Sequence, residues 1–171
     1  MHALLAALQL RGWTVRTSTG AQPLLPPPVA QRYPALPSDV VTFLSSLELC
    51  CNQAENSWFL TSEDYAREDT STFRWNEYEH MALETYDDDP VYRAGIKAFW
   101  DSHFPFMLAV HSDYDYLAIR LTPDGFGNVV HGYAPEWEEP SPIAVSFAAF
   151  LDTFTVAAAM PQAKYPLDVF L

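Results

Sequence analysis

The spacing of apolar residues changes period along the chain, and this change predicts the order of its elements. The opening "MHALLAALQLRG" predicts a short N-terminal helix. Four apolar residues of "PSDVVTFLSSLE" follow the i, i+3, i+4, i+7 spacing of one helix face. They are Val40, Phe43, Leu44 and Leu47. Pro37 or Ser38 is suited to begin this helix, because proline is favoured in the first turn and serine at the N-cap.

The next two segments carry signals for helix starts. "WFLTSEDYARE" predicts a strand over residues 58–60 and then a helix, with Thr61 and Asp64 spaced as a capping box. Residues 75–86 predict another helix. In "DDDPVYRAGIKAFWDSHF", Asp89 can cap a helix whose first residue is Pro90. The residues expected to share one face of that helix are Tyr92, Ile96, Phe99 and His103.

After residue 103 the period becomes two, which predicts strands. "FPFMLAVH" is apolar throughout, as in a central strand. "YDYLAIRL" alternates, so we expect one set of residues to face the core and the other to face solvent. The inward set is Leu117, Ile119 and Leu121, and the outward set is Tyr116, Ala118 and Arg120. "TPDGFG" supplies a turn, and "NVVHGYA" returns as the partner strand.

"PIAVSFAAFLDTFTVAAAM" predicts a closing helix capped by Ser146. Its buried stripe is expected to contain Phe147, Phe150, Leu151 and Phe154. Helices, then strands, then a helix indicate an α+β domain with helices packed on a largely antiparallel sheet. A length of 171 residues suits one globular unit. Within it, residues 1–28 are expected to form the N-terminal helix and a proline-rich arm, and residues 29–171 the α+β domain.

Charge limits the possible partners. The net charge is −13, with 22 acidic and nine basic residues. Nucleic-acid binding needs clustered lysine and arginine, so it is not expected. An acidic surface would instead attract a basic protein. The alternative is a merely solvated acidic surface that keeps the protein soluble.

The cysteines and the hydropathy predict a soluble protein in a reducing compartment. Cys50 and Cys51 are adjacent, which disfavours a disulfide between them, and no C-x-x-C spacing is present. We expect both to be reduced and half-buried in a cytoplasmic protein. No apolar run reaches the roughly 20 residues of a membrane-spanning helix, so no membrane association is expected.

Catalytic and metal-binding patterns are weak. Glu77 and His80 have E-x-x-H spacing, but a di-iron bundle needs two such motifs. His111, Asp113 and His131 could form a facial metal triad if their strands were neighbours. No G-x-S-x-G elbow or reactive-cysteine signature is present. The sequence therefore predicts no catalytic residue, metal or cofactor, although an enzyme with an unrecognised site stays an alternative.

Several stretches resemble the SUKH superfamily of yeast Smi/Knr cell-wall regulators and their bacterial relatives. "ALPSDVVTFLSSLE" is similar to the family's Leu-Pro and short amphipathic helix, and "WFLTSEDY" to its Trp-containing strand and following helix. "SDYDYLAI" and the later "IAVSFAAFL" resemble the acidic strand and closing helix. The resemblance covers about residues 29–155. It departs at "CCNQ", where the family often has Asn-Gly.

The resemblance implies a protein-binding module without enzymatic activity. Bacterial members are frequently cytoplasmic immunity proteins that bind and neutralise a cognate toxin, and many such toxins are basic nucleases. A regulatory or scaffold protein of the same fold is the alternative.

Two acidic clusters are the candidate partner-binding surfaces. The first combines carboxylates at one end of the sheet with two aromatic contact residues, as is typical of binding hot spots. It comprises Asp113, Asp115, Tyr133, Glu136, Trp137, Glu138 and Glu139. The second comprises Glu84, Asp87, Asp88 and Asp89, for which ordinary charge at a helix start is the simpler interpretation.

Overall fold

A computed structural model of the chain describes residues 2–18, 23–67, 73–111 and 113–171. Residues 19–22 of the predicted proline-rich arm lie outside the described residues. The elements, in chain order, are α1 (His2–Leu10), β1 (Thr14–Thr17), α2 (Pro27–Arg32), α3 (Ser38–Ser45), β2 (Leu47–Cys51), β3 (Ser57–Phe59), α4 (Ser62–Ala66), α5 (Glu77–Thr85), α6 (Pro90–Asp101), β4 (His103–Val110), β5 (Tyr114–Arg120), β6 (Val129–Tyr133), β7 (Ser141–Ala144), α7 (Phe147–Ala159) and a 3₁₀ helix (Leu167–Phe170).

Each strand of the sheet pairs antiparallel with the next strand along the chain, in the order β1 to β7. The predicted α+β class, with helices on a largely antiparallel sheet, is confirmed. The N-terminal segment belongs to the same unit, because β1 forms one edge of the sheet and α1 packs against α7.

Helices cover both faces of the sheet. On one face, Phe147 and Phe150 of α7 contact Phe106 of β4, with ring centroids 5.2 and 5.4 Å apart. On the other face, Trp100 of α6 contacts Tyr116 of β5 at 5.0 Å. Because helices lie on both sides, β4 and β5 are buried along almost their whole length, as central strands between two layers are.

The predicted helix starts are confirmed by their capping contacts. The Asp89 carboxylate accepts hydrogen bonds from the amides of Val91 and Tyr92 at the start of α6. The Ser146 hydroxyl accepts one from Ala149 at the start of α7. The Asp64 carboxylate accepts from the Thr61 amide in the predicted capping box of α4.

Other local predictions were wrong. Tyr116 and Ala118 were expected to face solvent, but both are fully buried, because Tyr78 of α5 and Trp100 of α6 pack on that face of β5. His103 does not extend the face of α6, since the helix ends at Asp101 and His103 begins β4. Cys50 and Cys51 are free, as expected, but buried rather than half-buried.

Three strands and one helix lacked a readable pattern. The strands β1, β2 and β7 are each five residues or shorter and were not predicted. No helix was predicted in the proline-rich segment, yet Pro27 begins the short helix α2. That helix ends in Arg32, whose guanidinium binds both carboxylate oxygens of Glu79 at 2.7 and 2.8 Å, so the segment is held against α5.

Candidate binding groove

A groove with a cavity volume of about 540 Å³ runs between α6 and the loop that joins β6 to β7. We call it the acidic groove. Its walls combine apolar side chains with three carboxylates. The lining residues are Tyr86, Val91, Tyr92, Gly95, Ile96, Phe99, Pro135, Glu136, Glu138 and Glu139.

The helical wall follows from the way α6 packs. Ile96 and Trp100 point into the core, and both are buried. The adjacent stripe of α6 is left at the surface and forms the wall, with Val91 79% exposed and Tyr92 59% exposed. Exposed apolar residues beside one another, rather than scattered, are a mark of interaction sites.

The loop wall is fixed by one buried aromatic residue. Trp137 stacks on Tyr78 of α5, with ring centroids 5.6 Å apart and an interplanar angle of 7°. Its carbonyl oxygen accepts a hydrogen bond from the Tyr116 hydroxyl. The Glu139 amide donates to the Glu136 carbonyl oxygen at 3.1 Å, which closes a turn. These contacts hold the neighbouring carboxylates at the groove.

Of the two predicted clusters, only the first contributes residues to the lining of the acidic groove. Glu136, Glu138 and Glu139 come from the first cluster. The second cluster lies between two lining residues, because Asp87, Asp88 and Asp89 connect Tyr86 to Val91. Glu84, Asp87 and Asp88 are exposed, while Asp89 is half-buried as the cap of α6.

Glu138 is the most unusual carboxylate of the groove. Burial raises its pKa, while its own backbone amide and the Trp100 indole N–H oppose that rise. The Trp100 indole is close enough to affect the charge, yet neither its Nε1 nor Glu138 Oε1 makes a hydrogen bond of normal geometry. Glu138 Oε1 is therefore a buried acceptor without a hydrogen-bond partner among the described residues.

Two tyrosines at the groove were missed as contact residues. Tyr86 and Tyr92 stack with ring centroids 4.8 Å apart and an interplanar angle of 7°. They are 41% and 59% exposed, which is unusual for a packed aromatic pair. The aspartate run between them was a usable signal, since aromatic residues beside charge are typical of interfaces.

The remaining members of the first cluster lie elsewhere, and two were assigned wrongly to the surface. Trp137 is only 7% exposed, so it supports the groove from behind instead of facing a partner. Asp115 is 6% exposed and accepts a hydrogen bond from His131 Nε2 at 2.7 Å. That pair was not visible in the sequence because it forms across two strands.

Asp113 and Tyr133 are exposed but do not line the acidic groove. Tyr133 pairs directly with Asp115 in the register of β5 and β6, and its ring stacks on His131 at 5.8 Å. Side chains alternate along a strand, so Tyr133 lies on the sheet face opposite Gly132 and Tyr116. The predicted cluster is therefore divided between the two faces of the sheet.

The two histidines of the alternative metal site lie apart in the structure. His111 follows β4 and His131 lies on β6, and β5 separates these strands. His111 Nδ1 instead accepts a hydrogen bond from the side chain of Asn56 at 3.0 Å. Across the described ranges, no three His, Cys, Asp or Glu side chains are grouped to hold a metal ion.

A larger groove, of about 650 Å³, lies on the opposite face between α7, β7 and the C-terminal segment. Its lining is mostly apolar, with Phe150, Val156 and Met160 among the contributors and Lys164 carrying a charge. It lacks the carboxylates that would indicate what kind of partner it binds. The acidic groove is therefore the better-defined candidate site.

Comparison with known proteins does not assign this chain to a family. No protein-family model matches the chain, and neither a curated protein nor a solved structure matches it. None of the helices in the described part of the chain is long and apolar enough to cross a lipid bilayer.

Proposed function

We propose that this protein is a non-enzymatic binding module that captures a basic protein partner in the acidic groove. The observation that carries the proposal is the placement of three carboxylates of the β6–β7 loop opposite a row of exposed apolar residues on α6. Apolar contact supplies affinity, and surrounding charge selects the partner.

Electrostatics favours a basic partner over other ligands. The net charge of −13 repels nucleic acid and anionic surfaces. The same field accelerates the approach of a cationic protein, in a manner that weakens as salt increases. The buried Trp137 fixes the loop that carries the carboxylates, so the backbone needs little reordering when a partner binds, which limits the entropic cost.

We further propose that the partner is a toxin and that the protein is a cytoplasmic immunity protein. This part rests on the resemblance of the "SDYDYLAI" and "IAVSFAAFL" stretches to the SUKH superfamily, whose bacterial members often have this role. An acidic groove suits such a role, because many toxins of this class are basic nucleases. A carboxylate surface can cover a nuclease site by substituting for phosphate charge.

The test is co-expression. The C-terminal domain of the protein encoded immediately upstream is produced in a bacterial host, alone and with this protein, and growth is scored. Immunity predicts killing by the domain alone and survival with both. We expect the double variant E136K/E139K to lose protection, because reversing two groove charges would repel a basic partner.

The matched control is E48K/D152K, which reverses two exposed charges, one on β2 and one on α7, both outside the acidic groove. It should protect as well as the wild type. Equal loss of protection in both variants would assign the effect to overall charge and contradict the groove. A domain that is harmless, or that kills regardless, would remove the immunity role and leave a regulatory binding role as the replacement.

A further inference from the structure

Gly95 is the glycine whose presence the chain itself does not explain. The structure describes five glycines. Gly12, Gly125 and Gly127 adopt positive φ angles, which favour glycine, and a Cβ at Gly132 would collide with the ring of Tyr116. Gly95 has neither property: its φ is not positive, and a Cβ there would meet no atom within 4 Å.

A glycine in such a position weakens the helix without a compensating contact inside the molecule. Gly95 lies in the middle of α6, where alanine would be the more favourable residue. A helical glycine with no neighbour inside the molecule leaves room for the backbone of another molecule to approach closely. Gly95 lines the acidic groove, so the open space above it faces the proposed partner.

The groove around Gly95 indicates the chemistry of the occupant. On α6 it is flanked by Tyr92 and Phe99, and the opposite wall carries Glu138 and Glu139. Arginine matches this combination better than lysine does. A guanidinium can lie flat on an aromatic ring and bind a carboxylate through two N–H groups, whereas an ammonium is a strongly hydrated point charge.

We propose that a segment of a protein partner crosses α6 at Gly95 and directs an arginine side chain to the carboxylates of the acidic groove. This inference rests on the proposed binding function and specifies the contact within it. The exposed carboxylates of Glu136 and Glu139 give the guanidinium charged hydrogen-bond acceptors at the surface of the groove. The apolar residues of α6 supply contact area on both sides of the crossing.

The test separates groove shape from charge. ¹⁵N-labelled protein is titrated with hexa-arginine and, separately, with hexa-lysine at about 0.15 M salt, where long-range attraction is largely screened. Amide shift changes should concentrate at residues 91–99 and 135–139 and should saturate at lower hexa-arginine than hexa-lysine concentration. G95A leaves the charge unchanged but adds a methyl group to the helical wall of the groove.

Two opposite effects are expected from G95A. Its melting temperature should rise by about 2–4 °C, because alanine favours the helix. Its affinity for hexa-arginine should fall by about tenfold, the usual effect of an extra methyl group in a fitted site. The control A98G changes an exposed position of α6 outside the groove. It should lower the melting temperature and leave the affinity unchanged.

The inference would be overturned if G95A bound hexa-arginine as tightly as the wild type does. It would also be overturned if A98G lost as much hexa-arginine affinity as G95A, or if the amide shift changes spread over all acidic surfaces. Failure here is distinguishable from failure of the proposed function. If G95A protects cells from the toxin domain as well as the wild type does, only the proposed crossing at Gly95 is contradicted. If G95A weakens hexa-arginine binding but the wild type does not protect cells from the toxin domain, the groove contact stands and only the immunity role is contradicted.

Discussion

The ring of Tyr116 occupies the space that a side chain at residue 132 would need. The two residues are directly opposite each other in the register of β5 and β6. A Cβ built on Gly132 would lie 2.4 Å from Cζ and Oη of the tyrosine. The Tyr116 hydroxyl donates to the Trp137 carbonyl oxygen, so the ring is held in place across the glycine. One glycine thus allows the contact that fixes the loop wall of the acidic groove.

The substitution G132A should destabilise the protein by at least about 2 kcal/mol, because the methyl group would overpack a rigid contact. The free energy of unfolding in urea measures the effect. G95A is the matched control, since the same change on α6 should stabilise by about 1 kcal/mol. Shortening the tyrosine in G132A/Y116L should cost less than the two single changes added together. A neutral G132A would show that Tyr116 does not need this position.

The substitution D89A should destabilise the protein by about 1 kcal/mol, since it removes the cap of α6. Asp89 accepts hydrogen bonds from the amides of Val91 and Tyr92 at 3.0 and 3.1 Å. D88A removes the same charge at an exposed neighbouring position and should change stability by less than about 0.5 kcal/mol. Urea unfolding of the two variants separates capping from charge, and equal values would argue against the cap.

Removing Arg32 should be among the more damaging single changes on the face of the sheet that α5 and α6 cover. Arg32 binds Glu79, whose side chain is 8% exposed, through two hydrogen bonds. R32A would leave a buried carboxylate unpaired, at a cost of about 3 kcal/mol. R32K keeps the charge but loses the two-pronged geometry, so its loss should be intermediate. Recovery of stability in R32A/E79Q, relative to R32A, would identify the unpaired charge as the cause.

Glu138 should make stability fall as the pH rises. Burial raises its pKa above the ordinary value of 4.5, so the folded chain holds this proton more tightly than the unfolded chain does. Its contribution favours folding below about pH 4.5 and is lost as the pH passes through the folded-state pKa. E138Q should therefore be more stable than wild type at pH 7, and the difference should shrink toward pH 4.5.

The control for this pH dependence is E139Q, which removes the same charge from an exposed neighbouring residue. Urea unfolding at several pH values compares the two variants with wild type. A stability gain in E139Q equal to that in E138Q would assign the effect to general repulsion among the carboxylates. A gain confined to E138Q would assign it to burial beside Trp100.

The fold class was predictable because its signals are local. The caps at Asp89 and Ser146 act within one helical turn, and the apolar run of β4 is long. The layer that covers Tyr116 is not local. Whether an alternating strand has one buried face or two depends on helices elsewhere in the chain, so its outward set was assigned to solvent.

The acidic groove was predictable only in parts. Its carboxylates were identified from charge, but the position of the β6–β7 loop depends on the stacking of Trp137 on Tyr78 of α5. Asp115 was misassigned for a similar reason. Its partner His131 lies on the next strand, and only the register of β5 and β6 brings the two together.

The sequential strand order has a consequence for the folding pathway. Every strand pairs with the next one along the chain, so hairpins can form in succession with short loops to close. The contact between α1 and α7 is different, because it joins segments that are far apart in the sequence. During synthesis, one apolar face of the growing sheet therefore stays exposed until α7 has emerged from the ribosome.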